Sequence, residues 1–205
     1  MTRPIQAVIF DLGRVIVDVN IARLAEHLGT ALTEGDPVVT ISRIMSDPLV
    51  VQYGTGRITP EQFHHGLCRR FGLTIPFDRF GQLWCDIFSP MPGMEDLLRS
   101  LHGRLPLGLL SDTDALHWQF LRYSYPILSI FPRPVLSFQV GTMKPDPAIF
   151  HRAVESVQIP PHGCLYIDDL PANVEGARKI GMEAIVFRGA DDLKRNLISR
   201  AILPG

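Results

Sequence analysis

The feature that most constrains this chain is a short apolar run near its N-terminus that ends in an acid. Residues 7–10 (AVIF) show no polar alternation, which predicts a strand buried on both faces inside a parallel sheet. Asp11 follows at once, and Gly13 stands where the chain must turn sharply or let a ligand approach the backbone. In open parallel sheets, ligands bind beyond the carboxyl ends of the strands. Asp11 is therefore either placed for chemistry or caps a turn.

The C-terminal part of the chain alternates between strand and helix patterns. Strands are predicted at residues 105–110, 134–138, 165–167 and 184–187. Helices are predicted at residues 93–102, 114–123, 147–157, 171–180 and 191–202, with a loop at 140–147 that carries Lys144. Such alternation implies right-handed crossovers and an α/β fold, a doubly wound parallel sheet with helices on both faces.

The segment between the first strand and residue 89 has mainly helical periodicity. Ile21, Leu24, Ala25 and Leu28 follow the i, i+3, i+4, i+7 spacing of one helix face. Thr59 begins a Thr-Pro-Glu-Gln sequence that is typical of a helix start, and a helical pattern resumes at residues 77–88. We therefore expect a small helical bundle at residues 19–88, inserted into a core made of residues 1–18 and 89–205.

Composition excludes several classes of protein. In 205 residues, 20 basic side chains face 21 acidic ones, and a net charge of -1 argues against a nucleic-acid or anionic-membrane surface. The three cysteines are widely spaced and indicate neither a disulfide framework nor a zinc site. The first predicted strand begins within seven residues and no apolar run approaches the ~20 residues of a membrane span, so we expect a cytoplasmic protein. The sequence does not indicate an oligomeric state.

Acids, a hydroxyl and a lysine recur where the predicted strands end. One polar residue at a strand end means little, whereas four such sites on one sheet edge are hard to explain by packing. The set consists of Asp11, Ser111, Asp112, Lys144, Asp168 and Asp169.

These residue types suit phosphoryl transfer. Asp11 can act as a carboxylate nucleophile, but an anion that attacks a phosphate needs a cation beside it. A carboxylate pair can hold Mg²⁺ there, and two carboxylates with the Gly13 carbonyl fit the few protein oxygens that this ion takes. Ser111 and backbone amides can bind phosphoryl oxygens, and Lys144 can offset the charge of two anions in contact.

Four segments resemble, in order and spacing, the four motifs of the haloacid dehalogenase-like (HAD) hydrolase superfamily. They are FDLG at 10–13, LSDT at 110–113, GTMKPD at 141–146, and YIDD at 166–169 with NVEGA at 173–177. Residues 19–88 are similar to the helical cap of the first subfamily, including the turn GRIT at 56–59. The resemblance covers nearly the whole chain and is strongest to the branch of α-D-glucose-1-phosphate phosphatases and the N-terminal phosphatase half of soluble epoxide hydrolase.

The resemblance implies a Rossmann-like core with an inserted α-helical cap, and Mg²⁺-dependent hydrolysis of a small phosphorylated metabolite, such as a sugar phosphate. It assigns Asp11 as the residue that is phosphorylated, Ser111 as phosphate-binding and Lys144 as charge stabiliser. The implied phosphate-binding set is Leu12, Gly13, Ser111, Asp112 and Lys144. The implied metal ligands are Asp11, the Gly13 carbonyl and Asp169, supported by Asp168 and Asn173.

Gly13 departs from the pattern of the superfamily's phosphatases, which usually carry a second Asp at this position. That acid protonates the leaving alcohol and later activates water, and such catalysis contributes about 10²–10⁴-fold in rate. Substrates with better leaving groups, such as sugar 1-phosphates and acyl phosphates, are therefore favoured. The alternative is a catalytically weak or inactive phosphate-binding or regulatory module. A haloacid dehalogenase is disfavoured because its chemistry leaves the pair Asp168 and Asp169 without a neutralising metal, and a sugar-phosphate mutase because it relies on the second Asp.

Other polar residues have both functional and structural explanations. Arg14 could reach a substrate or be a solvated arginine, and Asp18 and Asn20 could meet the substrate or close a turn. His64 and His65 could line the substrate face of the cap, but adjacent helical residues point in different directions and exposure is the simpler expectation. His117 and Trp118 are expected to pack rather than to bind a ligand.

Overall fold

A five-stranded parallel sheet forms the centre of the computed structural model, which describes residues 4–32 and 35–205. Its strands are β1 (Ala7–Phe10), β4 (Leu107–Ser111), β5 (Val135–Leu136), β6 (Cys164–Asp168) and β7 (Glu183–Val186). The strand order is β5-β4-β1-β6-β7, so β1 is central and pairs with β4 and β6. The predicted doubly wound α/β fold is confirmed.

Helices cover both faces of this sheet because the central strand is apolar on both. Val8 and Phe10 point into one core cluster, with residues of α6 (Met94–Leu101), α7 (Ala115–Ser124) and α11 (Ala190–Ser199). Ala7 and Ile9 point into the other, with residues of α9 (Pro147–Val157) and α10 (Pro171–Lys179). This alternation is the two-residue period of a strand. A single turn of helix, α8 (Ser137–Val140), follows β5.

In the described part of residues 21–85, five helices pack around a separate apolar core. They are α1 (Ile21–Gly29), α2 (Pro37–Met45), α3 (Pro48–Gly54), α4 (Pro60–Phe71) and α5 (Phe77–Cys85). Phe63 lies at the centre of this core, stacked on Tyr53 and edge-on to Trp84. The capping box expected at Thr59 begins α4, with the Thr59 and Gln62 side chains each bonded to the other's backbone. We keep the name cap for residues 19–88.

The cap is joined to the core by a two-stranded antiparallel ladder that local periodicity did not predict. Strand β2 (Val17–Val19) pairs with β3 (Phe88–Pro90). The helix predicted for residues 77–88 therefore ends at Cys85, because a partner some seventy residues away takes the following segment into a strand. The strand predicted for 134–138 is also too long, since Ser137 and Phe138 lie in α8.

In the described ranges, no helix is long and apolar enough to cross a membrane.

A buried polar cluster joins the cap to the core beside this ladder. His117 on α7 is 2.9 Å from Asp114 through Nδ1 and 2.9 Å from the Trp84 carbonyl oxygen through Nε2. The Trp84 ring stacks on the imidazole and its Nε1 donates to Asp114. Both imidazole nitrogens face acceptors, and only the protonated ring can donate to both.

The His117–Asp114 pair predicts a pH-dependent stability. Burial alone would lower the pKa of His117, but the Asp114 carboxylate raises it above 6.5. Burial would raise the pKa of Asp114, whereas His117 holds it below 3.8. Because the folded pKa of His117 is the higher one, its contribution is complete below about pH 6.5 and is lost as the pH rises through the folded value.

We therefore expect the free energy of unfolding, measured with urea, to decline as the pH rises above about 6.5. This part of the decline should be absent in His117→Gln and present in His65→Gln, which changes an exposed histidine of the cap. Parallel pH profiles for wild type and His117→Gln would contradict the assignment of a protonated His117.

Candidate active site

Two buried carboxylates and a lysine meet at the carboxyl edge of the sheet. The register pairs Phe10 of β1 with Ile167 of β6, so the residues that follow, Asp11 and Asp168, lie side by side. Lys144 Nζ is 2.7 Å from Asp11 Oδ1 and 2.8 Å from Asp168 Oδ2. The Lys144 side chain is only 3% exposed and Asp168 is fully buried. Water therefore solvates neither carboxylate well, and the positive charge of Lys144 compensates the negative charge of the pair.

Asp168 is fixed by further hydrogen bonds. Its oxygens accept bonds from Asn173 Nδ2 at 3.0 and 3.1 Å, from the Leu170 amide at 2.9 Å and from the Tyr166 hydroxyl. Tyr166 lies two residues earlier on β6 and is therefore on the same face of the strand. With all its acceptor positions engaged, Asp168 can orient its neighbours but has little capacity left for a ligand.

Asp169 completes a group of three acids. Single oxygens of Asp11, Asp168 and Asp169 all lie within 4.8 Å of one another. The Asp169 side chain is 20% exposed, and Arg14 Nη1 lies 4.0 Å from its Oδ2. Asp169 thus faces the open side of the cluster, whereas Asp168 faces the interior.

The end of β4 supplies the second predicted segment. Ser111 is buried there, level with the turn that follows β1. Asp112 accepts a 3.1 Å hydrogen bond from the Lys144 backbone amide, which fixes the loop that carries the lysine. Ser137 was not predicted, although its hydroxyl bonds the Thr113 amide and carbonyl, both at 2.9 Å, and ties this loop to α8.

The turn after Asp11 differs from the expectation for Gly13. The residue in the left-handed region is Arg14, with φ of 57°, whereas Gly13 has no positive φ. For a residue with a Cβ, this conformation costs roughly 1–2 kcal/mol. A Cβ built on Gly13 would meet only Val19 Cγ2 at 3.4 Å, an ordinary contact. The turn expected at Gly13 thus has its positive φ one residue later, at Arg14, and leaves room for a Cβ at Gly13, while ligand approach to the Gly13 backbone stays a prediction.

The pKa values show how the cluster balances its charges. Burial raises the pKa of Asp11 to about 7, and Asp168 adds to the rise while Lys144 opposes it. Burial also raises the pKa of Asp112 and of Asp169. For Lys144, burial would lower the pKa, but Asp11, Asp168 and Asp112 raise it above its usual value. Lys144 therefore stays charged, yet its single positive charge does not balance the negative charges of all the acids in the cluster.

This donor set fits Mg²⁺. The ion takes oxygen ligands and keeps several waters, so it needs only a few protein groups. Asp11 and Asp169 offer carboxylate oxygens on the open side, and the Gly13 carbonyl belongs to the intervening turn. A divalent cation would also lower the raised pKa values that burial and like charge impose on these acids.

Several other candidate site residues have structural roles. Asn20 caps α1 by accepting from the Arg23 amide, and Asp18 bonds the Val19 amide. His64 is half-buried, with Nε2 2.8 Å from the Ile75 carbonyl oxygen, so the expectation of exposure fits His65 better. Trp118 packs against the core cluster beneath α7.

The fold and this cluster define a class of protein with a Rossmann-like α/β core, a cluster of acids at the carboxyl edge of its parallel sheet and an inserted helical cap. A family model described as "Hydrolase: haloacid dehalogenase-like hydrolase" matches residues 5–181. The chain therefore belongs to the haloacid dehalogenase-like hydrolases.

Similar proteins are found in bacteria. A D-ribitol-5-phosphate phosphatase from Bacteroides thetaiotaomicron is 22% identical over 201 residues, which cover 94% of this chain and 97% of that protein. A fructose-1-phosphate phosphatase from Escherichia coli is 25% identical over 103 residues, 50% of this chain and 54% of that one. The structure of a HAD family enzyme from B. thetaiotaomicron, complexed with magnesium and inorganic phosphate, superposes with a TM-score of 0.83 at 23% identity, covering 94% and 98% of the two chains.

Removal of the Lys144 charge tests the electrostatic balance of the site. Lys144→Met leaves Asp11 and Asp168 buried without their cation, and breaking a buried ion pair in this way costs about 3–5 kcal/mol. We expect a loss of that size in the free energy of unfolding, measured in urea with a chelator present. Lys194→Met, on the exposed side of α11, is the matched control. Asp168→Asn combined with Lys144→Met should recover part of the loss, and a loss below about 1 kcal/mol for Lys144→Met would contradict the account.

Proposed function

We propose that this protein is a Mg²⁺-dependent phosphatase that hydrolyses a small phosphorylated metabolite through an aspartyl-phosphate on Asp11. One observation carries the proposal: Asp11, at the end of the central strand, is bonded to a buried lysine and lies within 4.8 Å of two further acids. A nucleophilic carboxylate needs a cation and a means of tolerating a second anion beside it.

The chain's own residues would act in two steps. An Asp11 oxygen attacks phosphorus, forming a carboxyl O–P bond while the ester P–O bond breaks and the leaving oxygen takes its electron pair. Lys144 offsets the charge of the attacking carboxylate and the phosphoryl group, and the Ser111 hydroxyl and the amides of Leu12 and Gly13 bind phosphoryl oxygens. Water then hydrolyses the aspartyl-phosphate. Bound Mg²⁺, held by Asp11, the Gly13 carbonyl and Asp169, would supply further positive charge at the phosphoryl oxygens.

The remaining assignments support this reaction. Asp168 and Asn173 keep the cluster in position, Asp112 fixes the Lys144 loop, and the cap restricts access to the crevice and selects the substrate. The relatives are named for D-ribitol 5-phosphate and fructose 1-phosphate, which favours a phosphorylated sugar or polyol as the substrate. The division at residues 18/19 and 88/89 and the cytoplasmic location stay predictions.

The alternative is a phosphate-binding module with little turnover, since Gly13 cannot supply a proton. Hydrolysis of p-nitrophenyl phosphate separates the two, because its leaving group needs no proton. We expect turnover that requires Mg²⁺ and falls at least 10³-fold in Asp11→Asn, a loss typical of removing a covalent nucleophile. Asp96→Asn, which changes an exposed acid on α6 outside the cluster, serves as the control. No turnover in wild type with Mg²⁺ would favour the binding module.

Introduction of the missing acid at position 13 is expected to raise the turnover of substrates with poor leaving groups. Gly13 has no positive φ and room for a Cβ, so Gly13→Asp should fold normally. General acid catalysis contributes about 10²–10⁴-fold, so a partly aligned carboxyl should raise kcat on alkyl phosphates by about tenfold or more. The effect on p-nitrophenyl phosphate should be small. No gain on alkyl phosphates, with a melting temperature equal to that of wild type, would show that the acid is not what limits turnover.

A further inference from the structure

Two cations flank the acid cluster, and they differ in exposure. Lys144 is 3% exposed and pairs with Asp11 and Asp168 from within. The Arg14 side chain is 54% exposed, and its one ionic contact among residues 4–32 and 35–205 is at 4.0 Å from Asp169 Oδ2. An arginine at this distance makes no hydrogen bond to the acid. Its guanidinium therefore keeps donors that this contact does not use, beside Asp169 on the open side of the cluster.

The backbone at Arg14 does not explain the presence of an arginine. The turn is held by the Arg14 amide on the Val17 carbonyl at 2.6 Å and by the Val17 amide on the Leu12 carbonyl at 3.0 Å. It puts residue 14 in the left-handed region, where glycine or asparagine is at less disadvantage than arginine. The neighbouring glycine, Gly13, occupies a position that any residue could adopt. The strain is thus at the residue with the long cationic side chain.

The direction of the reaction places the leaving group on the exposed side. In an in-line displacement, the attacking and leaving oxygens lie on opposite sides of phosphorus. Asp11 attacks from the buried end of the crevice, where its side chain is 9% exposed. The leaving oxygen would then lie on the side of phosphorus away from Asp11, toward the open side of the cluster, where Asp169 and the exposed Arg14 side chain lie. Lys144 is bonded to the nucleophile Asp11 and therefore cannot also stabilise the leaving oxygen on the opposite side of phosphorus.

We propose that Arg14 is a catalytic residue that stabilises the leaving oxygen by charge and hydrogen bonding, in place of the proton that Gly13 cannot donate. The inference rests on the proposed phosphatase function and deepens it. A guanidinium stays protonated, so the leaving oxygen departs as an alkoxide paired with Arg14 and then takes a proton from a water molecule, which is released to the solvent as hydroxide. The site would then accept esters of ordinary alcohols, including phosphorylated sugars and polyols, without a general acid.

The test is the dependence of rate on leaving-group acidity. We would measure kcat/KM for substituted phenyl phosphates and for glycerol 3-phosphate, with Mg²⁺, in wild type, Arg14→Gln and Arg14→Lys. We expect Arg14→Gln to lose about 100-fold on glycerol 3-phosphate and less than tenfold on p-nitrophenyl phosphate, since one charge-stabilising donor is worth about 10²–10³-fold. Arg14→Lys should retain part of the activity, and Arg152→Gln, an exposed arginine on α9, should match wild type.

Two measurements separate this role from a structural one. Arg14→Gly relieves the left-handed strain, so its melting temperature should equal or exceed that of wild type, and a lower value would assign Arg14 to the fold. Arg14→Gln removes a positive charge 4.0 Å from Asp169, so the dissociation constant for Mg²⁺, from calorimetry, should be unchanged or lower. A weaker Mg²⁺ site, or equal losses on all substrates, would mean that Arg14 acts through Asp169 and would overturn the proposal.

These experiments distinguish a protein that is not a phosphatase from a phosphatase in which Arg14 does not stabilise the leaving oxygen. Wild type without Mg²⁺-dependent turnover of p-nitrophenyl phosphate removes the proposed phosphatase, and the role of Arg14 falls with it. Wild type with turnover, but with Arg14 variants whose losses do not depend on the leaving group, removes the role of Arg14 alone. The double variant Gly13→Asp with Arg14→Gln should turn over glycerol 3-phosphate faster than Arg14→Gln alone, because the new acid can protonate the leaving oxygen. Equal turnover in the two variants would contradict a role of Arg14 at that oxygen.

Discussion

The contact between Lys144 and two buried carboxylates is the constraint on which the site depends. Parallel pairing of β1 with β6 puts Asp11 beside Asp168, away from water. Two like charges about 5 Å apart repel by about 3 kcal/mol at an effective dielectric constant of 20. Lys144 offsets this repulsion, and the loop that carries it is fixed in turn by Asp112. Asp169 remains on the open side, so the cluster still carries excess negative charge that favours a divalent cation.

The cap and the core are coupled by packing as well as by the β2–β3 ladder. Gly56 in the cap has φ of 68°, and a Cβ there would lie 2.1 Å from the Phe138 carbonyl oxygen, so the cap turn rests directly on α8. The α8 turn is in turn bonded through Ser137 to the segment that follows Ser111. Together with the His117 cluster, these contacts hold the cap against the sheet edge. These contacts therefore fix the position of the cap relative to the sheet edge.

The sequence was sufficient for the parallel α/β fold, though not for its strand order, and for the strand ends at which the acids lie, because these follow from local patterns. An apolar strand that ends in Asp11 needs no partner to be recognised, and neither does YIDD after β6. The errors fall where distant segments decide the conformation. Strand β3 pairs with Val17–Val19, some seventy residues earlier, and Ser137 at the start of α8 is bonded to Thr113 on another segment. Arg14 took the positive φ expected near Gly13, and Tyr166 was overlooked, although its two-residue spacing from Asp168 was a readable signal.

The central claim is that Asp11 forms a covalent bond with phosphorus, and peptide mapping after rapid acid quench tests it most directly. Wild-type protein mixed with Mg²⁺ and p-nitrophenyl phosphate should carry one phosphoryl group on the peptide that contains Asp11. The label should be absent in Asp11→Asn and lost on treatment with hydroxylamine, which cleaves acyl phosphates. Turnover with no phosphoryl group on that peptide, or with the group on another residue, would contradict the account.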